Sequence, residues 1–266
     1  MQPIYDLIII GGGPIGLACG IEAQKADLHY LILEKGTLCH SIYNYPVNMT
    51  FFSTSDRLEM AGIPFMSVGA KPTRTEALEY YRRIYFHFKL KVNLYEGADT
   101  LEKEKDYFRI ITPKNTYLTH KIVLATGFYD LPNLMDVPGE NLPKVLHYYK
   151  EPWPFVAQKV LVVGGANSAV DAALECWRKG AEVSMVLLGD EVDENVKYWI
   201  RPDIMNRIKE GSIRAFTRSK VKSIDKHQVT IQTPEGEVTI ANDWVLAMTG
   251  YKPNFGLLDQ LGVELS

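Results

Sequence analysis

Hydrophobic positions along this chain fall into two runs of the same shape, about 150 residues apart. The first, Tyr5-Asp6-Leu7-Ile8-Ile9-Ile10, is nearly continuous and breaks into Gly11-Gly12-Gly13-Pro14-Ile15-Gly16. An unbroken apolar run of strand length predicts a parallel strand covered on both faces. A helix over 14–26 follows, then a second apolar strand over 29–34 that ends in Glu34. The pattern returns as a strand over 159–163 and the turn Gly164-Gly165-Ala166-Asn167-Ser168-Ala169. A helix over about 167–179, stopped by Gly180, and a strand over 182–188 complete the copy.

Between the copies the periodicity changes. Residues 36–72 are broken by turn formers yet aromatic, which suits a ligand wall better than a linker. Thr75 to Phe88 has helical spacing, with Leu78, Tyr81, Ile84, Tyr85 and Phe88 on one face and Arg82 and Arg83 off it. Strands are predicted near 107–112 and 116–119, followed by an apolar run ending at Thr126-Gly127. A proline-rich stretch from Pro132 to Pro154 marks a domain crossing, and a second apolar strand ends at Thr249-Gly250. The fold class is therefore α/β, with two Rossmann-like dinucleotide-binding domains, the second inserted in the first. The first comprises residues 1–130 and 251–266, and the second residues 131–250.

Composition narrows the function. A net charge of −3 gives no long-range attraction to nucleic acid or anionic membranes. No apolar run approaches the ~20 residues that span a bilayer, and the opening strand lacks the basic leader of a signal peptide. A cytoplasmic protein is expected. Three cysteines (Cys19, Cys39 and Cys176) lie far apart, and the six histidines are scattered, which predicts no disulfide framework and no metal site.

The glycine turns carry the chemistry. A pyrophosphate needs backbone N–H donors and a close approach that side chains would block. Gly11 permits the tight turn, Gly13 lets the backbone meet the phosphate, and Gly16 lets the helix press on the strand. Glu34, eighteen residues beyond Gly16, stands where an acid accepts the ribose hydroxyls. In the second copy Ala166 and Ala169 replace two glycines, and the same count from Ala169 reaches Leu187, which is neither acid nor arginine. Asp190 is a candidate for a free 2′-hydroxyl, and Lys197 with Arg201 for a 2′-phosphate, so NADH and NADPH both stay open. Thr126-Gly127 and Thr249-Gly250 end strands at the edge where doubly wound sheets bind ligands. Phe51 and Phe52 are equally placed to shield a flavin ring or to fill a core.

Glycine fingerprint, acid, Ala-Thr-Gly turn, inserted second fingerprint and second Thr-Gly turn resemble, in this order, the two-dinucleotide-binding flavoproteins of the thioredoxin reductase type. Asn44-Tyr45-Pro46, Phe51-Phe52-Ser53-Thr54, Lys71-Pro72-Thr73-Arg74 and Val196-Lys197-Tyr198-Trp199 resemble, within that group, the bacillithiol disulfide reductase family. The resemblance covers nearly the whole chain. It implies FAD at the first unit, NADPH at the second, and reduction of a low-molecular-weight disulfide. The candidate FAD contacts are Gly11, Gly13, Pro14, Ile15, Gly16, Glu34, Lys35, Tyr45, Asn48, Met49, Thr50, Ala98, Thr126 and Gly127. Those for NAD(P) are Gly164, Gly165, Ala166, Asn167, Ser168, Ala169, Thr249 and Gly250.

The chain departs from the resemblance at four places. The thioredoxin reductase Cys-x-x-Cys is replaced by Tyr148-Tyr149-Lys150-Glu151-Pro152-Trp153. Ile15 stands where the best-known bacillithiol disulfide reductases have a cysteine, leaving Cys39 as the more accessible thiol and Cys19 in the core. Leu187-Leu188 replaces their His-Arg. The sequence ends sixteen residues after Gly250, so weaker flavin retention is expected. The reading is a FAD-dependent reductase taking hydride from NADPH or NADH, with no assigned catalytic residue. A small molecule or small protein is the electron acceptor, and a homo-oligomer is expected. Ferredoxin, quinone or oxygen as acceptor, or a non-catalytic redox sensor, are the alternatives.

Overall fold

The computed structural model describes residues 3–263. The chain divides into two compact units, 1–131 with 252–266, and 132–251.

In the first unit, β1 (Ile4–Ile10), α1 (Pro14–Lys25) and β2 (Tyr30–Leu33) follow in order. The short α2 (His40–Asn44), the long α3 (Arg74–Phe88), β3 (Val92–Asn93), β4 (Thr100–Lys103), β5 (Phe108–Ile111) and β6 (Thr116–Leu124) complete it up to the crossing. They form one six-stranded sheet in the order β3-β2-β1-β6-β5-β4. The first four strands run parallel, and β5 and β4 add antiparallel pairs. Two expected strands over 107–119 become β5 and the first half of β6. The same continuous β6 pairs with β5 at Thr116–Thr119 and with β1 through Leu124.

Alternation along β1 explains why its apolar run is unbroken. Ile9 packs with Leu17, Ile21 and Ile32, whereas Ile8 and Ile10 pack on the other face with Leu31, Leu33, Leu101 and Ile110. All three isoleucines are buried, and each contributes roughly 1.5–3 kcal/mol. At the start of α3, Thr73 accepts from the Glu76 backbone N–H while the Glu76 side chain accepts from the Thr73 backbone, a reciprocal cap. The buried face of α3 is Ala77, Tyr80, Tyr81 and Ile84, rotated from the expected one. Leu78, Tyr85 and Phe88 stay at the core margin. The rotation follows from the 60–65 loop, since Tyr80 donates to Ile63 O (2.8 Å) and stacks on Phe65 at 4.3 Å.

The chain passes through β7 (Leu131–Pro132) into the second unit. There β8 (Val145–Leu146), β9 (Lys159–Val163), α4 (Asn167–Arg178), β10 (Glu182–Val186), α5 (Arg201–Lys209) and β11 (Arg214–Phe216) precede β12 (Lys220–Ile224), β13 (Gln228–Thr233), β14 (Gly236–Ala241) and β15 (Trp244–Ala247). The parallel sheet has the order β11-β10-β9-β15-β8, and β12-β13-β14 form a separate antiparallel sheet. Helices cover one face of β9 through Val160 and Val162. The antiparallel sheet covers the other, with Val221, Ile224, Val229 and Ile231 packed on Leu161 and Val163. After β16 (Tyr251–Lys252), α6 (Gly256–Gln260) belongs to the first unit, where Leu257 and Leu261 pack on its second core. Among the described residues, no helix is long and apolar enough to cross a membrane.

Candidate functional site

In the first unit the glycines are fixed by contacts that exclude a side chain. Gly11 has φ +115°, and a Cβ there would lie 2.3 Å from Ala125 O. A Cβ at Gly16 would lie 1.8 Å from Gly11 O, so α1 rests directly on the turn. Gly13 is different, because nothing lies within 4 Å of its Cβ position. It caps α1 without any side-chain hydrogen bond. The amino end of the helix therefore offers backbone N–H groups and its positive dipole end to an anion.

Glu34 is held at the end of β2 by two backbone donors. Gly12 N–H donates to Oε2 (2.7 Å) and Gly36 N–H to Oε1 (2.8 Å). The residue is only 4% exposed. A carboxylate has about four lone-pair sites, so capacity remains for a ribose diol. The turn opens into a cleft of ≈ 780 Å³, within the usual range for small-molecule and cofactor sites. An uncapped helix end, a fixed acid and a Cβ-free approach together fit an adenine dinucleotide.

Of the expected contacts, Gly11, Gly13, Pro14, Ile15, Glu34, Lys35, Tyr45, Ala98, Thr126 and Gly127 line this cleft. Gly16 lies buried beneath it. Asn48, Met49 and Thr50 lie outside the residues that line the cleft. Arg74 N–H donates to Met49 O (2.9 Å) and Thr50 bridges Thr73, so these residues tie the loop to the start of α3. Phe51 takes a place on the wall, with Tyr45, Tyr81 and Tyr129, while Phe52 is 56% exposed under the Lys71 ammonium. Lys35 pairs with Asp130 at 2.5 Å. Sequence reasoning missed Asp130, Tyr81 and the returning segment Asn254, Leu257 and Gln260, all on the cleft. Gln260 is fixed by accepting from Leu101 N–H (2.7 Å), a contact across 159 residues that no local signal marks.

The second unit repeats the turn bond for bond. Gly11 N–H donates to Leu33 O (2.8 Å), and Gly164 N–H to Val186 O (3.0 Å). Ala125 N–H donates to Ile10 O (2.8 Å), and Met248 N–H to Val163 O (2.9 Å). Gly164 has φ +127°, and its Cβ would lie 2.4 Å from Met248 O. Ala166 caps α4 without a side-chain bond, Ala169 is fully buried where α1 has Gly16, and Ser168 is exposed. Asn167 and Gly165 hold the following loop. Asp193 N–H donates to Gly165 O (2.9 Å) and Lys197 N–H to Asn167 Oδ1 (2.8 Å). Thr249 Oγ1 donates to Asn133 O (2.5 Å), fixing the strand exit before Gly250, whose φ is +87°. Lys197, a candidate for a 2′-phosphate, is 6% exposed and paired with Asp171 at 2.7 Å. Arg201 is paired with Glu191 at 2.9 Å.

The thiols are placed contrary to expectation. Cys39 lies on the cleft but is 1% exposed, in a left-handed conformation with φ +54°. Burial, then the neighbouring Glu34 charge, push its thiol well above the ordinary range. Burial also pushes the Cys176 thiol up to about 12. Cys19 is half-buried, more accessible than Cys39, at the margin of the α1 core. Ile15 is 68% exposed at the cleft and supplies no sulfur.

The model of the family "Pyridine nucleotide-disulphide oxidoreductase" matches residues 8–266. Bacilliredoxin reductase Bdr of Bacillus subtilis is 43% identical over 260 residues, 97% of this chain and 80% of that protein. The solved bacillithiol disulfide reductase Bdr (YpdA) from Staphylococcus aureus superposes with a TM-score of 0.97 at 40% identity, covering 100% of this chain and 82% of that one. The enzyme of the same name from Bacillus cereus gives 0.97 at 41% identity, over 99% and 83%. With both nucleotide cradles in place, the chain belongs to the pyridine nucleotide-disulphide oxidoreductase family, as a flavoprotein reductase whose cofactors are FAD and a pyridine nucleotide.

Proposed function

We propose that this protein reduces a low-molecular-weight disulfide, bacillithiol disulfide being the one named for its relatives. The reaction balances as NAD(P)H plus a proton plus RSSR giving NAD(P)⁺ and two RSH. The observation that carries the reading is the first-unit cradle, with an uncapped α1 and a Glu34 fixed by two backbone N–H donors. The chemistry that FAD would supply when bound in this cradle is two-electron transfer between a hydride donor and an acceptor. The chain's own residues do the rest. Gly11 and Gly13 let the pyrophosphate meet the backbone at the amino end of α1, and Glu34 orients the ribose. Tyr45, Phe51, Tyr81 and Tyr129 wall the cleft with aromatic surface that excludes water. The second cradle, at Gly164 and the amino end of α4, holds the pyrophosphate of the nicotinamide donor.

The test is anaerobic. Reduced nicotinamide bleaches the yellow protein, and bacillithiol disulfide then restores the colour with two thiols released per flavin. A reduced protein that bacillithiol disulfide leaves colourless would refute the substrate. A second reading, with ferredoxin, quinone or oxygen as acceptor, draws on the burial of Cys39 and Cys176 and on Ile15 at the cleft. It predicts reoxidation by those acceptors in place of the disulfide.

A further inference from the structure

We infer that the second site selects a nicotinamide dinucleotide with a free 2′-hydroxyl, NADH, over one with a 2′-phosphate. The inference rests on the function proposed above. Strand register fixes the position that matters. Ile10 pairs with Leu33 in the first unit, and Val163 pairs with Val186 in the second. Glu34 and Leu187 are each the next residue, so they occupy equivalent places. The glycines agree, since a Cβ on Gly12 would meet Glu34 Cβ at 2.9 Å and one on Gly165 would meet Leu187 Cδ2 at 3.2 Å. Leu187 is 1% exposed. It can neither accept from a ribose hydroxyl nor donate to a phosphate.

The choice between ribose substituents therefore passes to the turn after β10. Leu188 is 83% exposed and uncharged. Asp190, Glu191, Asp193 and Glu194 follow, four acids within five residues. Three cations of this region, Arg218, Arg201 and Lys197, already face carboxylates of the chain. Arg218 Nε lies 3.1 Å from Asp190, Arg201 Nη2 2.9 Å from Glu191, and Lys197 Nζ 2.7 Å from Asp171. Four acids against Arg201 and Arg218 leave a formal −2 on the turn, with Lys197 and Asp171 cancelling. A 2′-phosphate would add its own negative charge to that rim and compete for guanidinium groups already engaged. A ribose diol brings hydroxyl donors, which Asp190 and Glu191 accept. Discrimination thus comes from repulsion of one ligand as much as from attraction of the other.

Calorimetric titration of the FAD-loaded protein with NAD⁺ and NADP⁺ reads the preference without turnover. NAD⁺ is expected to bind at least about tenfold more tightly, and NADH to bleach the flavin faster than NADPH. The double variant Leu188→Arg, Asp190→Ser is expected to gain at least about tenfold in NADP⁺ affinity while binding FAD as before. Equal affinities, or tighter NADP⁺ binding that Arg218→Ala abolishes, would overturn the inference and leave the reductase reading intact. Bleaching by neither nucleotide would overturn both.

Discussion

Two glycines of one turn do different work, and their variants separate it. Gly13→Ala meets no neighbour, so stability should change by no more than about 0.5 kcal/mol, while FAD affinity falls about tenfold or more because the new methyl enters the phosphate approach. Gly11→Ala carries both a positive φ and a 2.3 Å approach to Ala125 O, and should destabilise the fold by at least about 2 kcal/mol. Urea midpoints and flavin release, measured together, distinguish the two. The thiols give a second expectation at this scale. In the native protein Cys39 and Cys176 should resist a disulfide reagent and react only in denaturant; the Ile15→Cys variant should add one fast-reacting thiol. Rapid labelling of Cys39 in the native protein would contradict its burial.

Among the elements, α3 and the strands around Glu96 carry the clearest energetic expectations. Thr73→Ala removes half of the reciprocal cap on α3 and should cost about 1 kcal/mol in unfolding free energy. Glu96 ties β3 to β6, accepting from Asn93 (3.1 Å), Thr112 (2.8 Å) and Tyr117 (2.9 Å). Burial pushes its carboxyl up, but hydrogen bonds from Thr112, Tyr117, Asn93 and Asn115 together hold it below the usual carboxylate range. A depressed carboxyl stabilises the fold above its unfolded-state value and loses that contribution as pH falls through the folded value. Glu96→Gln should therefore be less stable than the parent near neutral pH, with the gap closing as pH falls through the carboxylate range. A gap that stays constant in urea titrations across that range would contradict this. The period of the apolar runs made β1, α1, β9 and α4 legible, because strands buried on both faces have no polar alternation to confuse them. The face of α3 was not legible, since it is set by Tyr80 meeting a loop that has no period.

For the molecule, the four apolar cores among the described residues fall cleanly within the two units. Two contain only residues of 132–251, and two only residues outside it. Residues 132–251, a single stretch with both cores of its sheet, should fold on their own with a cooperative melt and native-like circular dichroism. A fragment that melts without a transition would show that this unit depends on the rest of the chain.

Local sequence determined the two cradles, because a tight turn at positive φ, an uncapped helix and a buried parallel strand each require particular residues at fixed short spacing. Glu34 and the Thr-Gly exits followed from the same spacing. Which polar groups remain available was decided only in three dimensions. Lys197 is neutralised by Asp171, Arg218 faces Asp190, Gln260 closes on Leu101, and Cys39 is sealed in its left-handed turn. A group's charge and reach depend on partners brought in from distant sequence, and periodicity carries no record of them.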